Sequence, residues 1–192
     1  MLINFHTCKR ITTTAAAVIL FILAVSPYSV PEAQARSAQE IDISVDVAMN
    51  RFKNEVPGAQ EFLKNAKGIL VIPNVIRIGF GLGGEYGEGA LLVGGKTVDY
   101  YSLGAGSFGF QIGAQSKHVV IIFMDENALT SFRDSLGWRA GVDGSVALID
   151  VGAGGSVDTN NVQHPIVGFV FGVKGLMVNL SLEGSKFTKL TK

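Results

Sequence analysis

A chain of 192 residues that is 47% hydrophobic and only 17% charged, with 24 glycines against 5 prolines, fits one strand-rich domain better than a disordered or two-domain chain. Its 16 basic and 16 acidic residues balance, and its aromatic residues are not interleaved with arginines. No basic field or stacking platform is present, which excludes a nucleic-acid-binding surface.

At the start of the chain, Lys9 and Arg10 precede an apolar core from Ala15 to Val25, and Ala33-Gln34-Ala35 supplies an A-x-A cleavage site ahead of Arg36. This pattern predicts a signal peptide over residues 1–35 and export to the periplasm or beyond, with membrane association left open. The apolar core is short for a membrane span of about 20 residues; an uncleaved anchor is the alternative. Cys8, the only cysteine, falls within this leader. The mature chain, residues 36–192, is therefore expected to form no disulfide, thiolate metal site or cysteine nucleophile. Removing Lys9, Arg10 and Glu32 leaves it a net charge of −1.

Ile41, Val45, Ala48, Phe52 and Val56 then follow one another at steps of three or four, the spacing of one helix face. Ile41, Ile43, Val45 and Val47 also alternate as in a strand, but the length and the polar run NRFKNE favour a helix. Pro57 fits the first turn of a second short helix, PGAQEFLKNAK, ended by Gly68. Beyond it the texture changes to short apolar runs such as ILVIP, VIRIGFGLG, ALLVGG, HVVIIFM and IVGFVFGV, which predict at least seven strands. One helix interrupts them, with Asp125 as its cap and Ala128, Leu129 and Phe132 as its apolar face. Closely spaced strands without helical crossovers predict antiparallel pairing. The expected fold is α+β: N-terminal helices packed on a strongly curved antiparallel sheet or small barrel, with one further helix inserted.

The letters Gly79-x-Gly81-x-x-Gly84 match a dinucleotide-binding loop, and they recur at Gly104-x-Gly106-x-x-Gly109. Such a loop holds pyrophosphate only where a helix opens after the glycines. Here apolar strand follows, so no nucleotide and no other cofactor is expected. Glycine at every second residue (Gly79, Gly81, Gly83; Gly104, Gly106; Gly152, Gly154) instead bares one face of a strand for close packing.

Catalytic and metal chemistry finds little to build on. His118 starts an apolar strand and His164 stands in a polar loop, neither with a partner at metal-ligand spacing. Ser107 in GAGSFG resembles a nucleophile elbow, but Ala105 replaces the first glycine and no helix follows. Glu85 and Glu88, three apart, point to different faces and are expected in a solvated turn. Asp143, Asp150 and Asp158 match no calcium loop in their spacing. The chain is not expected to be an enzyme.

The ordered blocks EVPGAQEFLKNAKGILVIPNV, GGEYGEGALLV, SLGAGSFGFQIGAQ, VVIIFM followed by DENALTSF, and KGLMVNLSLEGS resemble the SYLF domain, from about Ile41 to Lys186. This family comprises lipid-binding modules of bacterial envelope proteins and, in eukaryotic endocytic adaptors, lipid- and actin-binding ones. The resemblance implies a single domain over residues 36–192, a curved antiparallel sheet with N-terminal helices, and a phospholipid or membrane surface as partner. In some members a basic amphipathic N-terminal helix makes that contact. Here the candidate contacts are Ile41, Val45, Phe52 and Val56, with Arg51 and Lys53 at the edges, although Asp42, Asp46 and Glu55 deny this helix a dense basic face. An exported chain would not meet actin. A structural envelope protein acting through protein contacts is the alternative, with ordinary packing on the sheet as the other role for the helix stripe.

Overall fold

The computed structural model describes residues 36–151, 164–175 and 181–192, so the signal peptide, Gly152 to Gly155 and Asp158 lie outside the described residues. Helix α1, Ala38–Glu55, begins at a capping box in which Ser37 and Glu40 satisfy each other's backbone N–H groups. Helix α2, Ala59–Asn65, starts after Gly58, whose φ of 77° only glycine adopts without cost, so Pro57 lies ahead of the helix rather than in its first turn.

Two long strands follow: β1, Gly68–Val93, and β2, Lys96–Phe123, joined by a tight Gly94-Gly95 turn with both φ angles positive. They absorb five of the apolar runs that the sequence separates. Pro73, which reads as a stop, is carried by a register shift between Ile72 and Val75 with Asn74 at a φ of 51°. Helix α3, Glu126–Asp134, is capped by the Asp125 side chain, which accepts from the Ala128 N–H at 3.0 Å. Short strands β3, Trp138–Arg139, and β4, Ala147–Asp150, precede β5, Ile166–Gly175, and β6, Lys186–Leu190.

Six strands are thus seen among the described residues, in one strongly curled sheet of order β3-β6-β2-β5-β4, with β1 paired along β2. The α+β expectation holds. The sheet is not purely antiparallel, however, because β4 pairs parallel with β5 from Ala147↔Val167 to Asp150↔Val170. The segment between them is long enough to bring the chain back in the same direction.

Apolar side chains fill both sides of the sheet near its middle. One face carries Val71, Ala90, Val120, Ile122, Val167 and Phe169, covered by α1 and α2 through Ile41, Val45, Phe52 and Phe62. Phe52 and Phe62 meet Phe169 edge-on, with ring centroids 5.0 and 5.1 Å apart. The other face encloses Leu70, Ile72, Leu103, Ile121 and Phe123, closed by Phe132 of α3 with Trp138 and Phe187. Curling brings β1 back on itself: a β-carbon on Gly87 would stand 2.8 Å from Ile72 Cγ2, and one on Gly89 2.8 Å from Ile72 Cα.

Candidate functional site

Ile41, Val45, Phe52 and Val56 are all buried against the sheet, the packing role rather than the membrane-contact role given for the helix stripe. The outward face of α1 presents Ile43 and Val47 instead, both more than half exposed. This arrangement explains the strand-like alternation of residues 41–47, since positions 41 and 45 point inward while 43 and 47 point outward. Lys53 is exposed. Arg51 binds Glu55 at 2.7 Å and donates from Nη1 to His118 Nε2 at 2.6 Å, pinning the helix to β2. Near its other end, Asp42 accepts from Thr97 Oγ1 and the Tyr100 hydroxyl, each at 2.9 Å.

His118 is buried with Arg51 at its Nε2 and the Asn74 N–H 3.3 Å from its Nδ1; the neutral ring accepts from only one of the two. Burial and the adjacent Arg51 guanidinium hold its pKa below the ordinary histidine value. It is a structural histidine at the helix–sheet seam, stacked on Phe171. His164 is exposed, and Ser107 lies within β2 with no helix after it. No group of three potential metal-ligating side chains gathers among the described residues.

The glycine motifs are strand, not phosphate loop: Gly79, Gly81 and Gly84 all lie inside β1 and Gly104, Gly106 and Gly109 inside β2. Their packing role needs correction in one respect. The tight contacts belong to Gly87 and Gly89, whereas a β-carbon on Gly84, Gly104 or Gly106 would meet nothing within 4 Å. These last three floor an open surface.

That surface continues into the least expected feature of the molecule. Along β1, Ile76, Ile78, Leu82 and Tyr86 are between 52% and 66% exposed, while Arg77 and Gly83 between them are partly covered and Glu85 is buried. The period of two places the exposed side chains on one face, the same face that α1 covers farther along at Val71 and Ala90. Their partners on β2, Ser116, Ala114 and Gly104 opposite Ile76, Ile78 and Tyr86, add no charge.

The opposite, inward face of this region carries Arg77 across from Gln115; Glu85, paired with Ala105, and Lys117, paired with Val75, lie well apart in the register and meet through the curl of the hairpin. Lys117 Nζ stands 2.9 Å from Glu85 Oε1, with both side chains at least 95% buried. Neither atom has an aligned hydrogen bond among the described residues, so their attraction is chiefly coulombic. Glu85 is therefore an interior ion, not a residue of a solvated turn. Glu88, on the outer face two residues beyond Tyr86, is also buried, accepting from the Tyr86 hydroxyl at 2.7 Å and pairing with Lys192 at 3.2 Å. Sequence alternation alone could have exposed this inversion, because IRIGFGLGGEY alternates apolar residues with Arg77 and Glu85; what it lacks is which face looks inward.

Residues 104–192 match the family model described as "Ysc84: Las17-binding protein actin regulator". No curated protein matches the chain.

Proposed function

From the match of residues 104–192 to the Ysc84 family model, in keeping with the SYLF resemblance of the sequence blocks, we propose a non-enzymatic protein of the cell envelope that binds lipid at a membrane surface. Binding to Las17 and regulation of actin describe the family; an exported chain meets lipid instead. The observation that carries the proposal is the uncovered apolar row Ile76, Ile78, Leu82 and Tyr86, whose directly paired β2 neighbours Ser116, Ala114 and Gly104 carry no charge. Contiguous exposed apolar surface marks a protein or membrane contact, and a tyrosine at its end suits the boundary between hydrocarbon and water. The export leader read from residues 1–35 supports the envelope location.

Vesicle co-sedimentation of protein purified from the envelope fraction tests this. The wild type is expected to bind, and Ile78→Ser with Leu82→Ser to lose most of that binding without a change in melting temperature. Mass spectrometry of an organic extract should also find co-purified phospholipid. Absence of vesicle binding, with concentration-dependent self-association through the same two residues, would replace lipid with protein contact.

A further inference from the structure

The strand register sets one row of residues directly side by side across four strands: Tyr86 of β1, Gly104 of β2, Lys186 of β6 and Arg139 of β3. Directly opposed residues on neighbouring strands share a face, so Lys186 and Arg139 stand on the same outer face as the apolar row. Both are exposed. Between them and Tyr86 the floor is bare, because Gly104 and Gly106 have nothing above them within 4 Å. The result is a shallow groove of about 600 Å³ lined by Ser102, Gly104, Gly106, Arg139, Lys186 and Thr188.

Two details keep the basic groups available to a ligand. Among the described residues neither Arg139 nor Lys186 forms a salt bridge; Asp143 accepts from the Arg139 backbone N–H at 2.6 Å, and Glu88 pairs with Lys192. Lys186 is also steered by a second glycine. A β-carbon on Gly137 would stand 2.5 Å from Lys186 Cε, so the lysine stem lies along that bare backbone.

Resting on the lipid-surface reading above, we infer that this groove is the headgroup site of that surface and takes the phosphate of an anionic phospholipid. The apolar row enters the acyl boundary while Arg139 and Lys186, across the glycine floor, meet the negative headgroup. An apolar strip flanked by two cations that form no salt bridge among the described residues is complementary to an anionic membrane in both parts. Arginine adds a planar fork suited to phosphate, and lysine a point charge. Hydroxyls of Ser102 and Thr188 line the groove beside them.

The test uses protein purified from the envelope fraction and vesicles of phosphatidylcholine alone or mixed with phosphatidylglycerol. Wild type is expected to prefer the mixed vesicles, and high salt to erase the preference. Arg139→Gln with Lys186→Gln should reduce that preference by roughly 10- to 30-fold, from about 1 kcal/mol per basic residue near the surface, with binding to phosphatidylcholine, whose headgroup has no net charge, reduced far less. Gly104→Asp, which adds a carboxylate in open space and keeps both cations, should do the same. Equal wild-type binding to both vesicles, or a preference that survives in both variants, overturns the headgroup site and leaves lipid binding standing. No wild-type binding to either vesicle overturns the lipid-surface reading with it.

Discussion

The β1–β2 hairpin is two different structures joined end to end. Near its base, Gly68 to Ile72 against Val119 to Phe123, both faces are apolar and both are covered, one by α1 and the other by α3 and its neighbours. Farther along, from Ile76 to Tyr86, the outward face stays apolar but loses its cover, and the inward face turns charged. The alternation does not change between them. What changes is which partners the chain provides, and a sheet that is apolar outside and ionic inside has its polarity set for a surface other than water. The strand thus serves as core where helices reach it and as contact surface where they stop.

The difference is broken most sharply by truncating one phenylalanine or leucine from each region. Phe52→Ala empties a fully buried site packed on Phe169 and Phe171 and should cost about 3–5 kcal/mol. Leu82→Ala, 66% exposed, should stay within about 0.5 kcal/mol. Urea denaturation of both proteins checks the pair; a loss at Leu82 comparable to that at Phe52 would mean the far region is covered after all.

A buried ion should behave differently from both. Replacing Lys117 by Met strands the Glu85 carboxylate in the interior and is expected to destabilise by about 3–5 kcal/mol, whereas the double change Lys117→Met, Glu85→Leu should recover most of that loss. The double-mutant cycle, measured by urea midpoint, tests whether the inward charges act as a pair.

The glycines sharpen the same boundary. Gly89→Ala would drive a methyl into the Val71 and Ile72 backbone where β1 crosses itself, and should cost about 1–3 kcal/mol or more. Gly106→Ala, on the open floor, should be close to neutral. The sequence shows that alternating glycines bare one face, but whether another strand segment comes to lie on that face depends on the curl of the whole hairpin, which is a long-range property. For the same reason Pro73 reads as a strand end. Only the register against β2 shows that a bulge at Asn74 carries the strand onward. The helix stripe was fully legible from its spacing, yet its role was not, because an apolar face looks alike whether a sheet or a membrane covers it. The row from Ile76 to Tyr86 was legible in its alternation, but the groove was not: Arg139 and Lys186 meet Tyr86 only through pairings between strands far apart in sequence.

The smallest expected effect concerns the seam where the covered region is fastened. His118 is faced by Arg51 and Glu55 from α1, Lys174 from β5 and the Asn74 N–H from β1, and its ring stacks on Phe171. Burial first, and Arg51 second, hold its pKa below the ordinary value in the folded protein. The unfolded chain therefore binds a proton at His118 that the folded chain resists. Its contribution is complete above the unfolded pKa of about 6.5 and falls as pH drops from there toward the depressed folded value. The physical cause is local: an imidazolium would turn an N–H toward Arg51, already a donor at 2.6 Å. Acidification should thus loosen α1 before it disturbs the far half of the hairpin. Hydrogen exchange measured across this pH range should show protection falling in residues 38–56 while that of residues 82–93 holds, and His118→Gln should flatten the dependence. A uniform loss of protection over both regions would mean that acid acts through the carboxylates of the whole domain rather than through this one seam.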